Sequence, residues 1–205
     1  MQSYTTIQNR SKFEYEDRKS LFIGEAAPVS TEEEALSFIS AIKKKYPDAN
    51  HHVYAYVLRE NSIMRFSDDR EPQGTAGMPV LDAIRKNACT DAVIVVVRYF
   101  GGTLLGTGGL VRAYSSAANG ALKEANIIVY DIYREYEISV SYSEYQKILP
   151  LISDNSFRIT DTKFSENVLL IGKIKKDLSE DFIKKLNESS YGHAKAIMIQ
   201  EKFDF

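Results

Sequence analysis

The segment that decides the fold runs from residue 91 to residue 125 and reads DAVIVVVRYFGGTLLGTGGLVRAYSSAANGALKEA. It begins with an unbroken apolar run, residues 92–97, that is rich in β-branched side chains and is typical of a strand buried on both faces. A glycine-rich stretch follows over residues 98–108, and residues 109–125 then carry small and apolar side chains at helical spacing. The pattern predicts a central strand, a glycine-rich loop and a helix packed on the strand.

The sequence before this segment predicts an N-terminal α/β domain. Strands are predicted at residues 21–29, 53–58 and 63–66, and a helix is predicted to start near Pro79. Ser30 precedes Glu33 by three residues, which is the spacing of a capping box at the start of another helix. With a short strand at residues 127–130, we expect this domain to cover residues 1–131.

The sequence after this segment predicts a second, smaller domain over residues 132–205. Its apolar pattern gives the order β-α-β-β-α-β, which is that of a ferredoxin-like domain. Capping boxes, Ser141 with Glu144 and Asp177 with Glu180, are predicted to open its two helices. The fold class expected from sequence is therefore α+β in two domains.

Composition limits the classes of function that need to be considered. The chain has 205 residues, a net charge of −2 and an isoelectric point of about 6.0, so contact with RNA would require a local basic patch and DNA specificity is not expected. Cys89 is the only cysteine, which excludes an internal disulfide and fits a reducing compartment. Residues 1–10 lack the apolar core of a signal peptide, and no apolar run reaches membrane-spanning length. We expect a cytoplasmic protein with no membrane partner.

The glycine-rich stretch is the first candidate binding site. Glycine lets a ligand approach the backbone, and the amides at the start of a helix favour anions. Arg98 and Arg112 flank the stretch and are suited to a phosphate or carboxylate, while Tyr99, Phe100 and Tyr114 are suited to stacking on a base. The structural alternative is a tight loop whose aromatic side chains pack inward. The predicted anion- and RNA-binding residues are Arg98, Gly101, Gly102, Gly106, Gly108, Gly109 and Arg112.

Residues 67–77 form a second candidate segment, an acidic loop before a helix. Its carboxylates could hold a hard cation, act as an acid–base pair, or make local backbone hydrogen bonds in a solvated turn. We favour an accessory binding loop beside the glycine-rich one, and we predict no metal site, no cofactor and no catalytic residue. The neighbouring pair His51-His52 does not change this, because only one other histidine, His193, is available as a metal ligand. The predicted accessory residues are His52, Asp68, Asp69, Glu71, Gly74 and Thr75.

Several blocks of the sequence are similar to the YigZ/IMPACT family, and the resemblance covers nearly the whole chain. They are HHVYAY at residues 51–56, SDD at 67–69, EP at 71–72, GTAG at 74–77, VVVRYFGG at 95–102 and LLGTGGLVRAY at 104–114. The chain departs from the expected pattern at Arg70, Gln73, Met78, Ser115 and Ser116. The absence of a basic residue at Met78 weakens the anion site, and Arg70 supplies a positive charge nearby.

The resemblance implies both a fold and a role. It implies a ribosomal-protein-like βαβ first domain, as in GHMP kinases and in elongation factor G, and a ferredoxin-like second domain. Eukaryotic members regulate translation by binding a protein activator of a stress-response kinase, and for bacterial members the resemblance implies association with RNA or the ribosome. Fold alone does not determine function.

Three hypotheses for the function follow. The leading one is a non-enzymatic, translation-associated regulator that binds RNA, the ribosome or a translation-related protein through the glycine-rich loop. The second is a phosphate- or nucleotide-binding enzyme resembling GHMP kinases, in which Asp68, Asp69 or Glu71 would hold magnesium or act as a base. The third is a pure protein-interaction module that presents the open sheet face of its second domain.

Overall fold

A computed structural model describes residues 3–154 and 157–205 of the chain. The protein is a mixed α+β molecule that divides into two compact units. One unit is Tyr4–Val129, and the other contains Tyr130–Phe205.

The first unit contains six strands and three helices. Its strands are β1 (Tyr4–Ile7), β2 (Ser11–Asp17), β3 (Ser20–Pro28), β4 (His51–Leu58), β5 (Ile63–Ser67) and β6 (Ala92–Tyr99). Its helices are α1 (Glu32–Lys45), α2 (Gly77–Lys86) and α3 (Gly106–Glu124).

Five of these strands form an antiparallel sheet in the order β2-β3-β6-β4-β5. Alternate side chains of β6 enter two separate cores: Ile94 and Val96 pack with α2 and α3, whereas Val93, Val95 and Val97 pack with α1. Helices on both faces of the sheet explain why an antiparallel central strand is apolar throughout. The prediction that residues 92–97 form a buried central strand is confirmed.

The second unit has one sheet with two helices on it. Its elements are β7 (Ile127–Val140), whose first three residues belong to the first unit, α4 (Tyr142–Asp154), β8 (Arg158–Phe164), β9 (Val168–Lys175), α5 (Lys176–Ser189) and β10 (Lys195–Asp204). Strand β7 pairs with β10 on one side and β9 on the other, β8 pairs with β9, and all these pairs are antiparallel. Side chains such as Ile138 and Leu170 pack with Ile148 of α4 and Phe182 of α5. The predicted element order β-α-β-β-α-β is observed.

Three local predictions were wrong. Residues 127–130 do not form a separate short strand, because β7 continues without a break to Val140. The N-cap of α1 is Thr31 rather than Ser30, and its Oγ1 accepts a hydrogen bond from Glu34 N at 3.2 Å. Helix α5 begins at Lys176, and no side-chain hydrogen bond from Asp177 caps it.

No helix among the described residues is both long enough and apolar enough to cross a bilayer.

Candidate functional site

The glycine-rich connection between β6 and α3 is shorter than predicted. Arg98 and Tyr99 still belong to β6, where Arg98 pairs with Phe22 of β3 and His51 of β4. Helix α3 begins at Gly106, so Gly108 and Gly109 lie in its first turn. The loop itself, which we call the glycine-rich loop, is residues 100–105.

Two of the predicted glycines have conformational or packing reasons to be glycine. Gly101 lies so close to the chain at Lys19 that an added Cβ atom would be 2.2 Å from the Lys19 carbonyl oxygen. Gly102 has a φ of +84°, a value that side chains other than glycine rarely adopt. The close approach at Gly101 holds the glycine-rich loop against the turn between β2 and β3.

That turn brings two positive charges to the loop that were not predicted from the sequence. Arg18 and Lys19 have φ angles of 46° and 65°, and both side chains are exposed. Arg18 Nη1 donates a hydrogen bond of 3.4 Å to the carbonyl oxygen of Leu104. The exposed cations beside the loop therefore come from this β-turn.

A cavity of about 480 Å³ opens between the glycine-rich loop, the acidic loop and the start of α3. We call it the Arg98 cleft. Its wall is mainly apolar, and its polar side chains come from four different segments of the chain. It is lined by Asn50, His51, Glu71, Pro72, Arg98, Phe100, Leu104, Leu105, Gly106, Thr107 and Leu110. A cavity of this size and composition is typical of ligand sites in proteins.

A buried ion pair forms part of the cleft. Arg98 Nη1 donates to Glu71 Oε1 at 2.6 Å, and the two side chains are only 6% and 4% exposed. The hydroxyl of Tyr114 in α3 donates to the same oxygen at 2.7 Å. Burial, together with the adjacent Glu71 carboxylate, raises the pKa of Tyr114 far above its usual value. Tyr114 therefore stays protonated and acts as a hydrogen-bond donor to the carboxylate.

His51 adds a third group on the cleft side of Glu71. Its Nδ1 lies 2.9 Å from the carbonyl oxygen of Asp69, and since a carbonyl can only accept, Nδ1 carries the proton. Its Nε2 lies 3.7 Å from Glu71 Oε1. This nitrogen is thus turned toward the carboxylate and available to a ligand in the cleft.

The acidic loop is built by its own carboxylates. Asp68 Oδ1 accepts from the amides of Ala76 and Gly77 at 3.1 and 2.8 Å, and Asp68 Oδ2 accepts from Gly74 N at 3.0 Å. Asp69 Oδ2 accepts from His52 N at 2.6 Å. Within residues 3–154 and 157–205, no group of three or more metal-binding side chains is suitably placed to hold an ion. These oxygens already satisfy backbone donors, which argues against a magnesium site here.

Several predicted site residues lie away from the cleft. Tyr114 is 0% exposed and packs edge-on against Phe22 at 5.1 Å, so the prediction that it stacks on a ligand was wrong. Tyr99 packs in the core beside α1. Arg112 is exposed, but it follows Thr107 by five positions and points about 140° away around the helix. Arg98 and Arg112 therefore do not converge on one ligand.

Some of the remaining predicted residues shape the acidic loop, and others line the Arg98 cleft. Gly74, Thr75 and Asp68 shape the acidic loop, where Thr75 Oγ1 donates to the carbonyl oxygen of Pro72 at 2.6 Å. The ring of His52 lies 2.9 Å from the carbonyl oxygen of Tyr46, so its neighbour His51 is the histidine that lines the cleft. Glu71, Arg98, Phe100 and Gly106 are the predicted site residues that the cleft brings together.

Comparison with known proteins places this geometry in a family. A model of the Impact N-terminal domain matches residues 18–122, and a model of a domain of unknown function (DUF1949) matches residues 138–192. The IMPACT family member YigZ of Escherichia coli is 34% identical over 91% of this chain and 93% of its own. The chain belongs to the IMPACT family. The segment matched by the IMPACT N-terminal domain includes the turn at Lys19, the acidic loop and the whole Arg98 cleft.

Two further relatives extend the similarity. The IMPACT family member YvyE of Bacillus subtilis is 38% identical over 82% of this chain and 78% of its own. A crystal structure of a hypothetical protein covers 98% of this chain and 100% of its own, with 32% sequence identity and a TM-score of 0.60. The IMPACT relatives thus share both halves of the molecule.

Proposed function

We propose that this protein is a non-enzymatic, translation-associated regulator that binds single-stranded RNA, free or in the ribosome, beside its glycine-rich loop. The single observation that carries the proposal is the placement of Arg18 and Lys19 against that loop, which also carries the exposed ring of Phe100. The link to translation rests on the resemblance to eukaryotic translational regulators. A ribosomal-protein-like first domain, a ferredoxin-like second domain and a cytoplasmic location belong to the same proposal.

The local charge supports RNA despite the overall charge of −2. Arg18, Lys19 and Arg70 are exposed, and Arg70 lies between Asp69 and Glu71 in the acidic loop. Of the two acidic side chains that flank Arg70, Glu71 is paired with the cation of Arg98, whereas Asp69 accepts from the backbone amide of His52, a neutral donor. These three exposed cations are candidates for the local phosphate contacts that RNA binding by an acidic protein needs.

An exposed aromatic side chain on the glycine-rich loop suits single-stranded RNA better than duplex. Proteins recognise single strands by stacking splayed bases on aromatic rings and by holding the backbone in a basic groove. Phe100 is 46% exposed, so its ring can accept a base without unfolding of the loop. A duplex would keep its bases stacked on one another and would gain nothing from this ring.

The proposal is tested by RNA binding of the full chain as a function of salt. Lys19→Gln with Arg70→Gln removes two exposed charges whose side chains make no hydrogen bond or ion pair within the described ranges. For a single-stranded oligonucleotide, the slope of log affinity against log salt should fall by about 0.7 for each phosphate that the variant no longer neutralises.

The matched control removes the same charge elsewhere. Lys43→Gln with Lys184→Gln changes two exposed lysines, one at the end of α1 and one on α5. This variant should keep the wild-type affinity and slope. The proposal fails if the wild-type chain does not bind RNA at low salt, or if both double variants weaken binding equally.

A protein-interaction role is the second candidate, and exposed apolar side chains of β10 favour it. Ile197 is 61% exposed, and Met198 and Ile199 are also exposed. A partner covering this strand would be captured from lysate in the presence of nuclease, and Ile197→Lys would abolish the capture. Capture that disappears on nuclease treatment supports RNA binding instead.

A further inference from the structure

We infer that the Arg98 cleft takes one unstacked nucleobase of the bound RNA and contacts both its face and its edge. This inference rests on the proposed function and adds to it the group that is recognised. Three properties of the cleft favour such an occupant: an aromatic ring at its rim, polar groups on its floor with unused hydrogen-bonding capacity, and an apolar wall.

The ring at the rim is Phe100. It is about half exposed and lies 5.6 Å, measured to its centroid, from the guanidinium carbon of Arg98. Leu104, which is 81% exposed, lies on the same loop and also lines the cleft. A flat ring that entered the cleft would stack on Phe100 and cover apolar surface that now faces solvent.

The polar groups on the floor of the cleft have hydrogen-bonding capacity that other protein groups leave unused. The hydrogen bonds that described residues make to the Glu71 side chain all end on Oε1. Arg98 Nε is buried and has no hydrogen-bond partner among residues 3–154 and 157–205. His51 Nε2 faces Glu71 at 3.7 Å, beyond hydrogen-bond distance.

These unused groups favour a nucleobase over an aliphatic side chain as the occupant. An aliphatic group in the cleft would leave Arg98 Nε without a partner and would exclude water from Glu71 and His51 without replacing its hydrogen bonds, and unsatisfied buried polar groups are costly. A nucleobase has an apolar face for Phe100 and an edge that carries donors and acceptors for the polar groups. The net charge of the Arg98–Glu71 pair is zero, which suits a neutral base and not a phosphate.

The order of the Glu71 and Arg98 groups on the floor of the cleft favours two of the four nucleobases. A carboxylate beside a guanidinium presents an acceptor next to a donor, and the matching edge has an amino group next to a ring nitrogen. Adenine and cytosine have this arrangement on their pairing edge, whereas uracil has a ring N–H between two carbonyl groups. We therefore expect oligomers of A and C to bind more tightly than oligomers of U.

The test compares base-bearing RNA with abasic RNA of the same length and charge, using the full chain. Wild-type protein should bind oligo(A) about 5- to 150-fold more tightly than the abasic strand, since stacking of a single base on an aromatic ring supplies that much. Phe100→Ala should lower the affinity for oligo(A) to near that for the abasic strand, so that most of this difference disappears. Leu104→Ala is the matched loop control and should reduce the difference by much less, because an aliphatic side chain does not provide a stacking face.

The outcomes separate this inference from the function on which it rests. If neither strand binds, the proposed function fails. Equal binding of abasic strand and oligo(A), both weakened by Lys19→Gln with Arg70→Gln, supports RNA binding through phosphates and overturns the nucleobase inference. Equal losses from Phe100→Ala and Leu104→Ala would also overturn it, and equal affinity for oligo(A) and oligo(U) would overturn the edge contacts assigned to Glu71 and Arg98.

Discussion

Glu71 and Arg98 are 27 residues apart in the chain, yet their side chains meet at 2.6 Å in a site that is almost closed to solvent. One oxygen of Glu71 also accepts the hydroxyl of Tyr114, so a single atom connects the acidic loop, β6 and α3. The pair has two consequences for the cleft: it neutralises the arginine that was expected to bind an anion, and it positions the groups that remain available to a ligand.

Removal of the Glu71 charge should strongly destabilise the first unit. In Glu71→Gln the side-chain shape is kept but Arg98 becomes an uncompensated buried charge, which costs about 3–5 kcal/mol. Urea denaturation should show this as a lower midpoint. Asp82→Asn breaks an exposed pair with Arg85 and should cost less than about 1 kcal/mol; equal losses in the two variants would mean that the buried pair contributes nothing special.

The Tyr114 hydroxyl should make stability depend on alkaline pH. Its raised pKa means that deprotonation is harder in the folded chain than in the unfolded one, where a tyrosine titrates near 10.0. The associated stability is complete below pH 10 and is lost as the pH rises above that value. Tyr114→Phe should lose about 1–3 kcal/mol at neutral pH and show a shallower decline above pH 10.

Two other tyrosines set the background for that measurement. Burial and neighbouring glutamates raise the pKa of Tyr46 and of Tyr56 to about 12 each, so some alkaline decline should persist in the Tyr114→Phe protein. Denaturation midpoints collected between neutral pH and pH 11 provide the comparison. Identical slopes for the variant and the wild-type protein would contradict the assignment to Tyr114.

Alanine substitution should lower the stability of the protein at Gly101 but not at Gly108. At Gly101 a Cβ atom would lie 2.1 Å from the Lys19 carbonyl carbon, so Gly101→Ala must move the loop or the turn, at a cost of about 1–3 kcal/mol or more. At Gly108, in the first turn of α3, a Cβ atom would meet no heavy atom within 4 Å. Gly108→Ala should be neutral or stabilising by up to about 1 kcal/mol, as measured by chemical denaturation. A loss at Gly108 as large as at Gly101 would refute the close-approach explanation.

Asp68 should contribute to stability as a cap rather than through a ligand. Its carboxylate accepts from two backbone amides at the start of α2 and from Gly74 N in the preceding loop, so Asp68→Ala should cost about 1–2 kcal/mol. Asp48→Ala, at an exposed position after α1, should change stability by less than about 0.5 kcal/mol. Added magnesium should not stabilise the wild-type protein in a thermal unfolding assay; a dose-dependent rise would instead restore a metal-binding role.

The central part of the fold could be predicted because its signals are local. The run at residues 92–97 is apolar at every position, which only a strand covered on both faces requires. The capping box of Ser141 and Glu144 was also correct, with Glu144 N donating to Ser141 Oγ at 3.3 Å and Ser141 N donating to Glu144 Oε2 at 2.9 Å. Both features depend on residues that are neighbours in sequence.

Strand β2 and its turn were not predicted, although the sequence contains the alternating pattern of a strand. Phe13 and Tyr15 alternate with polar residues over Ser11–Asp17 and pack against the core. The turn is Arg18-Lys19, which contains neither glycine nor asparagine even though both residues have positive φ. Without the usual turn residues the hairpin was missed, and its two cations were missed with it.

The sequence could indicate which segments form the site but not which of their side chains contact one another. The glycine-rich and acidic segments were identified as neighbours, and Phe100, Arg98 and Glu71 do meet in one cleft. Sequence alone could not indicate that Arg98 is neutralised by Glu71, because that pairing is decided by strand register and loop packing. The role of Tyr114 changed for the same reason: its ring fills the core beside Phe22.

The junction at Glu71 Oε1 also bears on how the protein is synthesised. The second of its two hydrogen-bond donors, Tyr114, lies in α3, more than half-way along the 205-residue chain. A nascent polypeptide that has exposed β6 but not α3 lacks both the Tyr114 donor and the α3 residues that line the cleft. Recognition capacity should therefore arise late and abruptly during elongation, and ribosome-bound fragments ending before α3 should lack it.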